Sequence, residues 1–171
     1  MQSKSYSNES EGAIYFALPA NSEDAGMLYQ WNRRIGWSST NPMINSNGGT
    51  NWDSSNATGT TWEKANDPCP TGWRVPTLSE LRSLADSDSY WGELNGVSGR
   101  FLGSEAQTLF LPAAGLRNSD SGTLYHVGTR GFYWSSNANT TAANYLSFTS
   151  ASTSQGNDVR RYGFSVRCVA E

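Results

Sequence analysis

Apolar residues come in short runs separated by polar stretches, so the chain predicts its elements one at a time. Ala13-Ile14-Tyr15-Phe16-Ala17-Leu18 is one run of strand length. It follows a polar start from Met1 to Gly12 and is closed by Pro19, which cannot donate to a ladder. From Gly26 to Thr61 the pattern dissolves. Trp31, Trp37 and Trp52 follow neither a helical nor a strand period among many Asn, Gly and Ser, which predicts a long loop-rich stretch pinned by aromatic anchors. A loop of that length argues against a simple layered fold unless function or a particular fold requires it. The clearest local pattern is helical. Leu78, Leu81, Leu84 and Ala85 form one apolar stripe, and Thr77 and Glu80 stand at capping-box spacing ahead of it. Asp86-Ser87-Asp88 ends this helix, and a second, shorter helical turn is expected at Thr61 to Ala65, before Asp67-Pro68.

Beyond Ser104 the runs turn extended: Thr108 to Ala113, Thr123 to Val127, Phe132 to Ser135, Asn144 to Phe148 and Phe164 to Val169. Gly, Ser and Asn separate them and no long helical pattern intervenes, so antiparallel pairing is expected rather than crossover units. The expectation is an α+β chain, loop-rich, with small antiparallel sheets and about two helices, forming one domain over residues 1–171.

Composition changes this picture in one respect. Ser (25), Thr (14), Asn (15) and Gly (17) make up about two in five residues, and the mean hydropathy is −0.58. That polarity is not charge. Only 16% of residues are charged, while seven Trp, eight Tyr and six Phe supply large packing groups, so a folded chain is expected rather than a disordered one. The net charge is −3, with Lys4 and Lys64 the only lysines, and no basic stripe is present to neutralise a phosphate backbone, which excludes nucleic acid as a partner. No apolar stretch is long enough for membrane insertion, and the start has no apolar core of a signal peptide.

Candidate chemistry is mostly missing. His126 is the sole histidine, beside Tyr125 in an extended run, and no nucleophile elbow, zinc-binding helix or phosphate loop occurs, so no catalytic residue and no cofactor is expected. Asp86 and Asp88 do not begin a calcium loop, because Tyr90 and Trp91 stand where a ligand oxygen and a glycine belong; no metal site is expected. The sequons at Asn8-Glu9-Ser10, Asn56-Ala57-Thr58 and Asn139-Thr140-Thr141 are what chance provides in such a composition. Cys69 and Cys168 form no Cys-x-x-Cys motif. They are either a disulfide closing roughly 100 residues, worth about 4 to 5 kcal/mol in the loop-entropy model, or two buried thiols of a reducing compartment.

Several phrases point further when taken together. They are Gly26-Met27-Leu28-Tyr29-Gln30-Trp31, Asp67-Pro68-Cys69-Pro70-Thr71-Gly72-Trp73-Arg74-Val75-Pro76-Thr77, Leu111-Pro112-Ala113-Ala114-Gly115, Gly131-Phe132-Tyr133-Trp134-Ser135-Ser136 and Gly163-Phe164-Ser165-Val166-Arg167-Cys168-Val169. In order, from about Gly26 to Val169, they resemble the Fibrobacter succinogenes major paralogous domain family of gut Bacteroidetes and their phages, which is related to the C-type lectin fold. The last third is similar to the variable proteins of diversity-generating retroelements, whose ligand-binding ends are rewritten at adenines of a template repeat.

The resemblance implies an N-terminal segment (1–25), a scaffold (26–112) and a variable ligand-binding region (113–169). In such proteins Asn codons mutate, and they cannot yield Lys, Glu, Gln, Met or Trp. From Ala113 to Val169 there is no Lys, Glu or Met, and the one Trp lies in the Tyr-Trp-Ser-Ser phrase; Gln155 departs from the rule. The resemblance makes Gly115, Gly122, Gly128, Gly131 and Gly163 the turn formers and Trp134, Phe148, Phe164 and Val166 the fixed scaffold. It places the binding positions at Leu116, Asn118, Ser119, Tyr125, His126, Thr129, Arg130, Phe132, Asn137, Asn139, Tyr145, Ser147, Thr149, Arg160 and Tyr162. It implies a protein or glycan ligand and a place at a cell surface or on a phage virion. A fixed adhesin with the same fold is the alternative. Formylglycine-generating enzymes share the architecture but need a reactive cysteine pair and a metal, and neither Cys69 nor Cys168 has an acidic or His shell in sequence. The Trp-Asn-Asp and Glu-Pro-Asn phrases of calcium-dependent lectins are missing, so binding is expected to survive a chelator.

Overall fold

The computed structural model describes residues 2–8, 12–18, 23–103 and 108–171. Its elements are β1 (Gln2–Asn8), β2 (Gly12–Leu18), β3 (Met27–Tyr29), β4 (Gly36–Ser38), a 3-10 turn (Lys64–Asn66), β5 (Trp73–Arg74), α1 (Leu78–Ala85), β6 (Ser89–Leu94), β7 (Val97–Leu102), β8 (Leu109–Pro112), β9 (Leu116–Arg117), β10 (Leu124–Tyr125), β11 (Gly131–Asn139), β12 (Ala142–Phe148), β13 (Thr153–Val159), β14 (Phe164–Ser165) and β15 (Val169–Ala170). A six-stranded sheet runs β13-β12-β11-β14-β3-β4. Beside it stand a four-stranded sheet (β1-β2-β15-β5), a three-stranded one (β6-β7-β8) and the ribbon β9–β10. The chain is thus α+β, built of small sheets with one α-helix and one 3-10 turn among the described residues.

The helix forms where its capping chemistry lies. The Thr77 hydroxyl accepts from the Glu80 amide, and the Glu80 carboxylate accepts from the Thr77 amide at 2.7 Å. Arg74 holds the same carboxylate through two bonds of 2.6 and 2.8 Å. Leu81 and Leu84 are buried against β11 and β12, and the exposed side is tied to β13 where Arg82 Nε donates to Gln155 Oε1 at 2.6 Å.

The long stretch before Cys69 is fastened by indoles. Trp31 Nε1 donates to the Ser135 carbonyl and Trp52 Nε1 to that of Ser119, both at 2.9 Å, while Trp37 and Trp52 pack with ring centroids 4.9 Å apart. A buried N–H left without a partner costs about 1–3 kcal/mol, so each bond fixes where its loop must lie.

Several expectations change. The helical turn predicted at Thr61 to Ala65 is the 3-10 turn three residues later. The loop-rich stretch contains β3 and β4. Ser89 to Leu102, unassigned by pattern, is the hairpin β6–β7, and Thr153 to Val159 is a strand although Val159 is its one large apolar residue. The run Phe164 to Val169 is two strands in two sheets, because Cys168 is joined to Cys69 in a disulfide and β15 pairs with β5 and β2. One contact, β11 with β14, is parallel. Pro19, Ser104 and residues Glu9 and Ser10 of the first sequon lie outside the described residues, as does part of the 1–25 segment.

Candidate ligand-binding face

Alternation along β11 and β12 divides the six-stranded sheet into two faces. Tyr133, Leu146 and Phe148 point to α1 and join Leu81, Leu84, Leu102, Leu109 and Leu111 in one core. Phe132, Trp134, Ala143 and Phe164 point the other way and pack with Trp31, Trp62 and Val75 in a second. On that second face the register sets Phe132 beside Ser147 and Trp134 beside Tyr145. Ser147 lies beside Ser154, Tyr145 beside Gly156, and Ala143 beside Asp158.

Phe164 is the hub. It stacks on Trp134 (centroids 4.2 Å apart), Phe132 (5.1 Å) and Tyr162 (5.6 Å), and Tyr145 meets it edge-on at 5.0 Å. Such pairs contribute about 0.5–1.5 kcal/mol each beyond their area. Leu116, Tyr145 and Tyr162 cover this cluster and are half-buried. The Tyr145 ring lies across Gly156, where a Cβ would come within 2.7 Å of its hydroxyl; glycine is what allows the ring to lie flat. Burial, then the Asp158 carboxylate and Tyr162, raise the Tyr145 pKa above its ordinary value, so the hydroxyl remains a donor. Ser147 Oγ and Ser154 Oγ share a bond of 2.9 Å.

A turn forms the rim. His126, at φ 63, accepts on its carbonyl from the Thr129 amide, the Thr129 hydroxyl and the Arg130 amide. The His126 ring lies 6.3 Å from that of Phe132, and the neighbouring Tyr125 is 49% exposed. Gly115 closes this corner at φ 72, with its amide bonded to the Arg130 carbonyl; a Cβ there would run into the Tyr125 carbonyl.

Leu116, Tyr125, His126, Thr129, Arg130, Phe132, Tyr145, Ser147 and Tyr162 are therefore one patch with its rim. The other sequence-predicted positions lie elsewhere. Asn118 Oδ1 caps its own turn by accepting from the amides of Asp120 and Ser121. Thr149 sits in the turn after β12, where its carbonyl accepts from Arg100 Nη1. Asn137 and Asn139 are at the far end of β11, roughly 20 Å along the strand at about 3.3 Å per residue, and Asn137 Oδ1 accepts from the Leu78 amide at the helix start.

Three positions need correction as contact surface because they are buried: Ser119, Phe132 and Arg160. Phe132 is the floor of the patch. Ser119 receives the Trp52 indole on its carbonyl, and Arg160 staples three backbone carbonyls and lies 4.4 Å above the Trp31 ring. In turn, Ser154 and Asp158 belong to the patch and were invisible in sequence, because β13 has no apolar alternation and only its register reveals the shared face. Among the described residues no group of three or more His, Cys, Asp or Glu is placed to hold a metal ion.

Residues 88–169 match the family described as a domain of unknown function (DUF8237). That span runs from just before β6 into β15, and so includes most of the patch's own sheet. No curated protein and no solved structure matches the chain.

Proposed function

We propose that this chain is a ligand-binding module of C-type lectin-like fold, whose open face over β11–β13 and the ribbon is a recognition surface diversified by a retroelement. Its ligand is a protein or glycan on a cell surface, bound without cofactor or catalysis. Half-exposed tyrosines over a rigid aromatic floor provide amphipathic anchors at low entropic cost, and Ser147, Ser154 and His126 provide adaptable hydrogen bonds, the chemistry that serves antibody paratopes.

The observation that carries this reading is which side Gln155 faces. With Trp134 it is one of two residues from Ala113 to Val169 that break the Asn-codon rule, and it stands opposite Leu146 on the closed face, bound to Arg82 of the helix. The open-face residues Tyr145, Ser147, Ser154, Gly156, Asp158 and Tyr162 all obey the rule. Trp134, which does not, is buried beneath them.

Resequencing the 3′ end of the gene across a growing population tests the proposal. Changes should concentrate at the codons for Tyr125, His126, Tyr145, Ser147 and Tyr162 and spare those for Trp134, Leu146, Phe148 and Phe164. Equal variation in the first and last thirds would overturn it, and an unvarying gene would leave a fixed adhesive surface instead.

A further inference from the structure

Two arginines, Arg117 and Arg160, are 1% and 4% exposed and have no carboxylate partner among the described residues. Each staples loops through oxygen acceptors, but they differ in what remains free. Arg117 donates four bonds, to the carbonyls of Ser38, Thr40 and Gly122 and to the Ser38 hydroxyl. Arg160 donates three, to the carbonyls of Ala57 (3.0 Å), Thr140 (2.7 Å) and Ala142 (3.1 Å). A guanidinium has five N–H groups, so two of those of Arg160 have no acceptor among the described residues.

Arg160 also lines a cavity. The space, of about 330 Å³, lies between the 56–59 loop and the β11–β12 turn. It is at the small end of the roughly 300–1,000 Å³ range of ligand sites. The rest of the lining is neutral: Asn56, Thr58, Thr140 and Thr141 offer hydrogen-bonding side chains beside Ala57 and Gly59, and no acidic side chain is among the lining residues. The turn itself is strained, since Thr140 is held at φ 48, a region β-branched residues avoid. Its carbonyl is the one gripped most closely by Arg160. A costly backbone conformation locked beside an unneutralised buried charge is the pattern of a pre-organised site.

We propose that this cleft is a second binding site, independent of the open face, for an acidic monosaccharide. The sugar carboxylate pairs with the free guanidinium N–H groups of Arg160. Its ring hydroxyls meet Asn56 and the three threonines. The neutral lining explains why a sugar rather than a bare anion is the ligand: one cation satisfies one carboxylate, and the remaining groups recognise hydroxyls.

NMR titration of the full chain with sodium D-glucuronate, D-glucose and sodium acetate tests this. Glucuronate should shift the Arg160 Nε–H resonance and the amides of Gly59 and Thr141, with glucose and acetate each about tenfold weaker or more. Substituting Arg160 would also release the three backbone carbonyls it holds, so the mutational arm uses Thr58→Val and Thr141→Val. These should weaken glucuronate about three- to tenfold with an unchanged melting temperature. Equal binding of glucose, equal binding of acetate as an adventitious anion only, insensitivity to both variants, shifts confined to Tyr145 and Tyr162, or no shift at all would each overturn the proposal.

Discussion

Alternate residues of β11 and β12 belong to two faces with different fates. Tyr133, Leu146 and Phe148 are enclosed by α1 and by the leucines of β7 and β8, whereas Tyr145 and Ser147 are left half-open. Hydrophobicity does not separate the faces, since the open one carries Phe132, Trp134 and Phe164. Coverage does. Trp31, Trp62 and Val75 pack into the buried cluster with Trp134, whereas Tyr162 and Ser147 stay half-exposed. A sheet pinned from behind can present its front to solvent and tolerate change there, because its geometry does not depend on what the front residues are.

The largest test removes a restraint that both faces share. The Cys69–Cys168 disulfide joins the approach to β5 with the link between β14 and β15, across a sequence separation of 99. Cys69→Ala/Cys168→Ala should cost about 4 to 5 kcal/mol by loop entropy, read by chemical denaturation against the oxidised parent. A loss below about 1 kcal/mol would mean that the frame does not need the bridge.

Next comes a pair of neighbours in one strand. Phe148→Ala empties a fully buried position on the closed face and should cost about 3–5 kcal/mol, while Ser147→Ala, one residue earlier on the open face, should cost less than about 1 kcal/mol. Comparable losses at the two sites would abolish the distinction between frame and surface.

The cover can be loosened by pH. Burial raises the Glu80 pKa, but bonds from Arg74 and Thr77 outweigh it and hold the carboxyl below its ordinary value. A pKa depressed in the native state contributes stability above the ordinary carboxylate range, and that stability is lost as pH falls through the native value. Glu80→Gln should therefore cost about 1–2 kcal/mol at neutral pH, with the difference from the parent vanishing in acid. A constant difference across the titration would show that the capping box acts without its charge.

Some of this arrangement is legible in the chain and some is not. The helix is, because Thr77, Glu80 and the leucine stripe act within a few residues of one another. The hairpin β6–β7 should have been. Asn95-Gly96, at φ 50 and 81, is a two-residue turn of the kind hairpins favour. Gly92 and Gly99 obscured it, since glycine ordinarily weakens strands; here a Cβ on Gly99 would come within 2.6 Å of the Phe110 ring and one on Gly92 within 3.1 Å of Phe101. At the candidate site, Tyr145 and Ser147 are readable from alternation. Asp158 needs the register of β13, and the burial of Arg160 and the capping role of Asn137 need the tertiary fold, because no local pattern makes an arginine or an asparagine structural.

The smallest expected effect lies at the rim, and it makes the comparison sharpest. His126 sits at φ 63, where asparagine is better tolerated than most residues, and its contributions to the turn are made by its carbonyl rather than its ring. His126→Asn keeps that carbonyl and removes only the imidazole near Phe132, so stability should stay within about 0.5 kcal/mol of the parent. Denaturation midpoint and slope are the readout. A loss beyond about 1 kcal/mol would make the histidine ring part of the frame, and the open face would then end at Tyr145 and Tyr162, with the rim turn held as firmly as the strands behind it.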